Sequence, residues 1–276
     1  MKITDSMVEE LEKIADENRK LIVKTAQESG GGHFGGSLSE VEILTALYWG
    51  ILKVDPKNLT WPERDYFILS KGHGCAGFGP ILAKKGFIPM EKLKTFNKLG
   101  SIFGMHTSLK MRGVEHPTGS LGHGLSVGQG IALGLKLDKK PNRVFVLQGD
   151  GEIQEGTVWE AAMSAAKFKL DNLISIIDCN GLSMDGPIKM IMPSLEPLAE
   201  KWESFGWEVK TIDGHDMKSL LDTLNQVPFQ EDKPSCIIAN TVKGKGISFM
   251  ENKYQWHYGY MSDKQYKKAL EELGIK

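Results

Sequence analysis

Two apolar, β-rich runs each end in a short polar signature. Residues 143–147 lead into Gly149-Asp150-Gly151-Glu152-Ile153-Gln154-Glu155-Gly156, and residues 173–177 lead into Asp178-Cys179-Asn180-Gly181-Leu182. Between them, residues 157–168 carry Val158, Trp159, Ala162 and Ala166 at helical spacing. This pattern predicts a strand–helix–strand unit. A right-handed unit of this kind brings the carboxyl ends of both strands to one edge of the sheet. Asp150 and Asn180 stand 30 positions apart, room for one crossover helix and a return strand. They then face one crevice, where open α/β sheets bind ligands.

The residue types fit a magnesium-diphosphate site. Magnesium takes hard oxygen ligands and usually shares them with phosphates. Asp150 offers a carboxylate, Asn180 an amide oxygen and Leu182 a backbone carbonyl. Gly149 and Gly151 let the backbone approach phosphate oxygens, and the following helix points its N-terminal N–H groups at the anion. Either half alone is equally well an ordinary Asp-Gly or Asn-Gly turn; the pair at this spacing favours the site.

The rest of the chain alternates helices and strands. Asp5 or Ser6 caps a first helix with Met7, Leu11, Ile14, Ala15, Leu21 and Ile22 on one face. Ser37-Leu38-Ser39-Glu40 has the form of a capping box and opens a second helix through Tyr48. Residues 66–69 read as a strand and 121–137 as a small-residue helix. A helix at 195–205, a strand at 207–212, a helix at 217–226, a strand at 236–241 and a closing helix at 263–273 follow. The expectation is an α/β fold, a mostly parallel sheet with helices on both faces, in one domain over 1–276. No repeat or low-complexity segment interrupts it.

Composition excludes several classes. The formal net charge is −1 and no long basic run occurs, so nucleic acid is not an expected partner. Lys84-Lys85 and Lys139-Lys140 are most simply solvated surface. Three cysteines, Cys75, Cys179 and Cys236, with no Cys-x-x-Cys pair, argue for a reducing, cytoplasmic setting and against zinc. The charged first residues lack a signal core, and no apolar run has membrane-spanning length.

Of seven histidines, four lie in glycine-flanked or turn-like loops: His33, His73, His106 and His257. Singly, each reads as a structural histidine. Together, beside a magnesium-diphosphate site, they favour a polar cleft whose imidazoles exchange protons near neutral pH.

The Gly-Asp-Gly followed at this distance by Asn resembles the thiamine diphosphate signature, and Gly-Asp-Gly-Glu-Ile-Gln-Glu-Gly resembles transketolase in particular. The resemblance covers nearly the whole chain but only the N-terminal, diphosphate-binding half of a full-length transketolase. It implies a thiamine diphosphate-binding domain with Mg2+, for which Ca2+ or Mn2+ can substitute, bound through Asp150, Asn180 and Leu182. By the same resemblance, the Gly32-His33, Ser70-Lys71-Gly72-His73, Met105-His106 and Trp256-His257 loops match family histidine loops. Those histidines bind sugar hydroxyls or shuttle protons, and His73 and His257 also touch the cofactor. Lys243 in Val242-Lys243-Gly244-Lys245-Gly246 matches a lysine near the cofactor, and Gly119-Ser120-Leu121 a segment packed along it. Glu155 resembles the glutamate that communicates between paired sites; on its own it reads as a helix-start carboxylate. Phe34, Met105-His106-Thr107, His123, Tyr258 and Cys179 depart from the family pattern, mainly in loops facing the sugar.

The implied reaction transfers a two-carbon ketol unit from a ketose to an aldose acceptor. The glutamate that activates the cofactor's pyrimidine ring belongs to a further domain, and no Glu here matches it. The expectation is therefore an N-terminal subunit of a split transketolase. A second polypeptide would supply the pyrimidine-binding domain, in an α2β2 heterotetramer. The alternatives are another thiamine diphosphate enzyme, such as a 1-deoxyxylulose-5-phosphate synthase-like subunit, and a non-catalytic scaffold.

Overall fold

Five parallel strands carry the molecule: β1 (Tyr66–Leu69), β2 (Val144–Gly149), β3 (Leu173–Cys179), β4 (Glu208–Asp213) and β5 (Ser235–Asn240). The computed structural model describes residues 2–275. The strand order is β1-β2-β3-β5-β4, and every neighbouring pair is parallel. All strand carboxyl ends therefore lie along one edge.

Ten α-helices accompany the sheet among the described residues. They are α1 (Asp5–Glu28), α2 (Phe34–Ser39), α3 (Val41–Thr45), α4 (Cys75–Lys85), α5 (His123–Leu137), α6 (Gly156–Lys167), α7 (Ile188–Ile191), α8 (Leu198–Ser204), α9 (Met217–Leu224) and α10 (Asp263–Glu272). Strand alternation divides the core between the two sheet faces. Phe145, Leu147, Ile174, Ile176 and Ile237 pack with the helices of one face, α1 to α4 and α9. Val144, Val146, Leu173, Ile177 and Ile238 pack with α5, α6 and α8 on the other. Each such fully buried side chain contributes roughly 1.5–3 kcal/mol. Because both faces are covered, the strands read as continuous apolar runs.

Two local expectations are corrected. The first helix is capped by Thr4, whose side chain accepts from the Met7 amide, and not by Asp5 or Ser6, which lie inside it. Ser37 does not open a helix: it sits within α2, and the backbone breaks at Glu40 before α3 begins. Glu40 turns inward instead of capping, and a π-helical turn, Ala46–Ile51, ends the segment. The other expected elements are present with ends shifted by a few residues.

Candidate active site

At the carboxyl ends of β2 and β3, Gly149 pairs with Asp178, so Asp150 and Asn180 emerge side by side. Asp150 is only 3% exposed. Its Oδ1 accepts from the Gly151 amide at 2.8 Å and its Oδ2 from the Gly181 amide at 2.5 Å. Burial, aided by the neighbouring Asp178 anion, pushes its carboxyl up to about 6. A cation beside it would relieve that strain on its charge. Asn180 Oδ1 accepts from the Leu182 amide at 3.2 Å, and the Leu182 carbonyl accepts from Lys243 Nζ at 3.0 Å. Three hard oxygens thus surround one corner. One carboxylate, one amide oxygen and one backbone carbonyl make a donor set that suits a cation sharing its ligands with phosphate. A Cβ on Gly151 would meet Ser183 Cβ only at 3.6 Å, an ordinary contact. The glycine therefore leaves a cradle that a side chain would fill.

Behind this floor lies a charged cluster. Lys71, 2% exposed, donates to Asp178 Oδ2 and to the Gly36 carbonyl, and its ammonium lies 2.8 Å from Glu40 Oε2. Apart from that ion pair, both Glu40 oxygens are buried without a hydrogen-bond partner. Burial pushes Glu40 up to about 7 against the pull of Lys71. Burial would also lower Lys71 and raise Asp178, but their mutual attraction outweighs it and keeps both charged. Gly74 and Gly77 make the room: a Cβ on either would come within 2.6 Å and 2.7 Å of Glu40 Oε1. Glu152, also buried, accepts from Ser70 Oγ, from the Gly122 amide at 2.9 Å and from the Gly149 amide at 3.1 Å. It cross-braces β1, β2 and the start of α5.

The four histidines form one wall of a cavity of about 380 Å3 that also includes Asp150, Asn180 and Lys243. The His33 ring centroid lies 5.1 Å from His73, 5.4 Å from His257 and 6.2 Å from His106; His73 and His257 are 5.0 Å apart. Burial, then the charges around them, lowers His33 to about 4, His257 to about 3 and His73 well below its ordinary value. These three rings are neutral at pH 7, each with one donor and one acceptor nitrogen. His33 Nδ1 is buried without a partner, a group that a ligand would satisfy. Lys243, 3% exposed, reaches His257 Nδ1 at 3.2 Å; burial and Lys71 push it down to about 8.

Residues 11–276 match the family described as "Transketolase, thiamine diphosphate binding domain". The chain belongs to this transketolase family. It is 44% identical over 256 residues to the 6-deoxy-6-sulfo-D-fructose transketolase subunit SqwG of a Clostridium species, covering 92% of this chain and 93% of that one. It is 46% identical over 267 residues to an apulose-4-phosphate transketolase subunit of Actinobacillus succinogenes, covering 96% of each. The crystal structure of transketolase from Campylobacter jejuni superposes with a TM-score of 0.91 at 32% identity. That likeness covers 100% of this chain but 44% of the Campylobacter chain.

Seen as a transketolase domain, most of the expected residues converge. His33, His73, His106, His257, Gly119, Leu121, Gly149, Asp150, Gly151, Asn180, Leu182 and Lys243 all line the cavity. Ser120 and Glu155 do not: both are exposed, and Glu155 precedes α6 without a side-chain capping bond. Sequence reasoning misses Glu40, Lys71, Glu152 and Asp178 as a set. The available signal is Lys71 beside His73 and Asp178 beside Asn180, in motifs that stand out for their neighbours.

Proposed function

We propose that this chain is the thiamine diphosphate-binding subunit of a split transketolase, active with a second polypeptide that supplies the pyrimidine-binding part. The observation that carries this reading is the convergence of Asp150, Asn180, Lys243 and four histidines on one cavity, in a chain that matches nearly the full length of proteins named as transketolase subunits. An α2β2 assembly is the arrangement we favour. The substrates named for those relatives carry a phosphate or a sulfo group, and we extend that class, sugars with an anionic far end, to this chain.

Asp150, Asn180 and the Leu182 carbonyl would hold Mg2+, and Lys243 would face the diphosphate. When bound, thiamine diphosphate supplies the electron sink that allows a ketose carbon–carbon bond to break. The chain's own residues do the rest. The glycines at 149 and 151 keep backbone close to the phosphates. The neutral rings of His33, His73 and His257 donate hydrogen bonds to sugar hydroxyls and accept them in return. His106, exposed at the rim, meets the sugar from outside.

The test is a donor screen on the chain purified with its partner subunit, thiamine diphosphate and Mg2+. Two-carbon transfer from a ketose to an aldose is the expected result. Turnover of pyruvate with no ketose accepted would contradict the reading.

A further inference from the structure

The Lys243 loop, residues 241–253, has no regular secondary structure, yet Lys243 is almost completely buried. Something outside the loop must hold it. The Val242 amide donates to His215 Nε2 at 2.8 Å, and His215 Nδ1 lies 2.9 Å from Glu42 Oε2. A backbone N–H can only donate, so Nε2 carries no hydrogen. The neutral ring must then carry its proton on Nδ1 and give it to Glu42. Arg19 pairs with the other Glu42 oxygen and donates through Nε to the Lys245 carbonyl at 3.1 Å. Burial alone would raise Glu42; the bonds from His215 and Arg19 outweigh it and keep the carboxylate ionised. One carboxylate on α3 therefore orients two side chains, from α1 and from the loop after β4, and each grips the backbone on one side of Lys243.

We infer that His215 is a positioning residue which, through the Glu42–Arg19 pair, clamps the Lys243 loop against the cavity. Its consequence for cofactor affinity rests on the reading that Lys243 faces the diphosphate; the clamp itself does not.

The experiment measures acetylation of individual lysines by peptide mass spectrometry on the intact chain. Lys243 and Lys71, 3% and 2% exposed, should both be protected in the wild type. Lys71 is buried in the same cavity but untouched by the clamp, so it reports general loosening. In His215→Leu the Val242 amide loses its acceptor, and Lys243 labelling should rise roughly tenfold while Lys71 stays protected. His215→Gln, whose amide can accept from Val242 and donate to Glu42, restores protection. Continued protection of Lys243 in His215→Leu, or labelling of both lysines together, would overturn the clamp. If His215→Leu does not fold, the nitrogen resonances of the wild-type ring decide: hydrogen on Nδ1 is expected, and hydrogen on Nε2 overturns it. A further arm titrates thiamine diphosphate with Mg2+ into the complex with its partner. Affinity about tenfold weaker in His215→Leu is expected. Selective Lys243 labelling with unchanged cofactor affinity would uphold the clamp and remove Lys243 from the cofactor site.

Discussion

On the floor of the cavity, Asp150 and Asn180 follow adjacent parallel strands, fixed by ladder hydrogen bonds on both sides. On the wall, His33, His73, His106 and His257 come from four separate loops and meet only through tertiary packing. The electrostatics differ as well. The floor is backed by buried charges that compensate one another, Lys71 against Asp178 and Glu40. The wall is made mainly of imidazoles that burial keeps neutral. The floor thus suits an ion and its counter-ion, and the wall suits hydrogen bonds to the hydroxyls of a sugar. Rigidity and charge sit together, and so do loop geometry and neutrality.

The floor should break through stability. Lys71→Ala leaves Asp178 and Glu40 buried without their cation, and unfolding by denaturant should show a loss of about 3–5 kcal/mol. An unchanged midpoint would mean that the cluster is not a coupled unit. The wall should break through turnover alone. His33→Ala should slow ketol transfer roughly 100-fold while thiamine diphosphate affinity, measured by calorimetry on the complex, is held. A parallel loss of affinity would move His33 to the floor.

The legible part of the molecule follows the same division. The strand–helix–strand unit around Asp150 and Asn180 is readable because strands buried on both faces are continuous apolar runs, and turns with special backbone needs show as glycine. Glu40 misleads because a Ser-x-x-Glu pattern is local, whereas its partner Lys71 lies across the fold. The same holds for Glu152, whose three donors come from positions 70, 122 and 149. His215 follows the turn signal Asp213-Gly214, which says nothing of its partner. Its role depends on Glu42, 173 positions away, and no periodicity encodes such a pairing. The histidine wall is legible only as a set, since one histidine in a glycine loop states nothing about where the loop goes.

A subtler effect separates the two regions by pH. Glu40 moves from an ordinary 4.5 to about 7 on folding. Between those values the folded protein keeps a proton that the unfolded chain has released. Its contribution to stability is therefore full below about 4.5 and is lost as pH rises towards about 7. Glu40→Gln should flatten this slope by at most about 1.4 kcal/mol per pH unit. Asp150, raised to about 6, has the same sign, whereas His33 and His257, lowered to about 4 and about 3, have the opposite one, so the effect of Glu40 is read as the difference between the two profiles. A Glu40→Gln profile parallel to the wild type would show that Glu40 titrates normally. The smallest effect expected is that of His106→Ala, roughly tenfold in turnover, the worth of about one hydrogen bond, because this ring is exposed. A larger loss than for His33→Ala would invert the ranking of the wall.

If Asp150 joins the cofactor's diphosphate to this chain through a metal, cofactor binding depends on both the carboxylate and the ion. The most direct test is a calorimetric titration of thiamine diphosphate into the complex of this chain with its partner, with Mg2+ and after chelation, for wild type and Asp150→Ala. Binding should depend on Mg2+ in the wild type and weaken in Asp150→Ala by more than the roughly 10–100-fold that outer contacts cost. Equal affinity in the two proteins, with or without Mg2+, would contradict that role of Asp150.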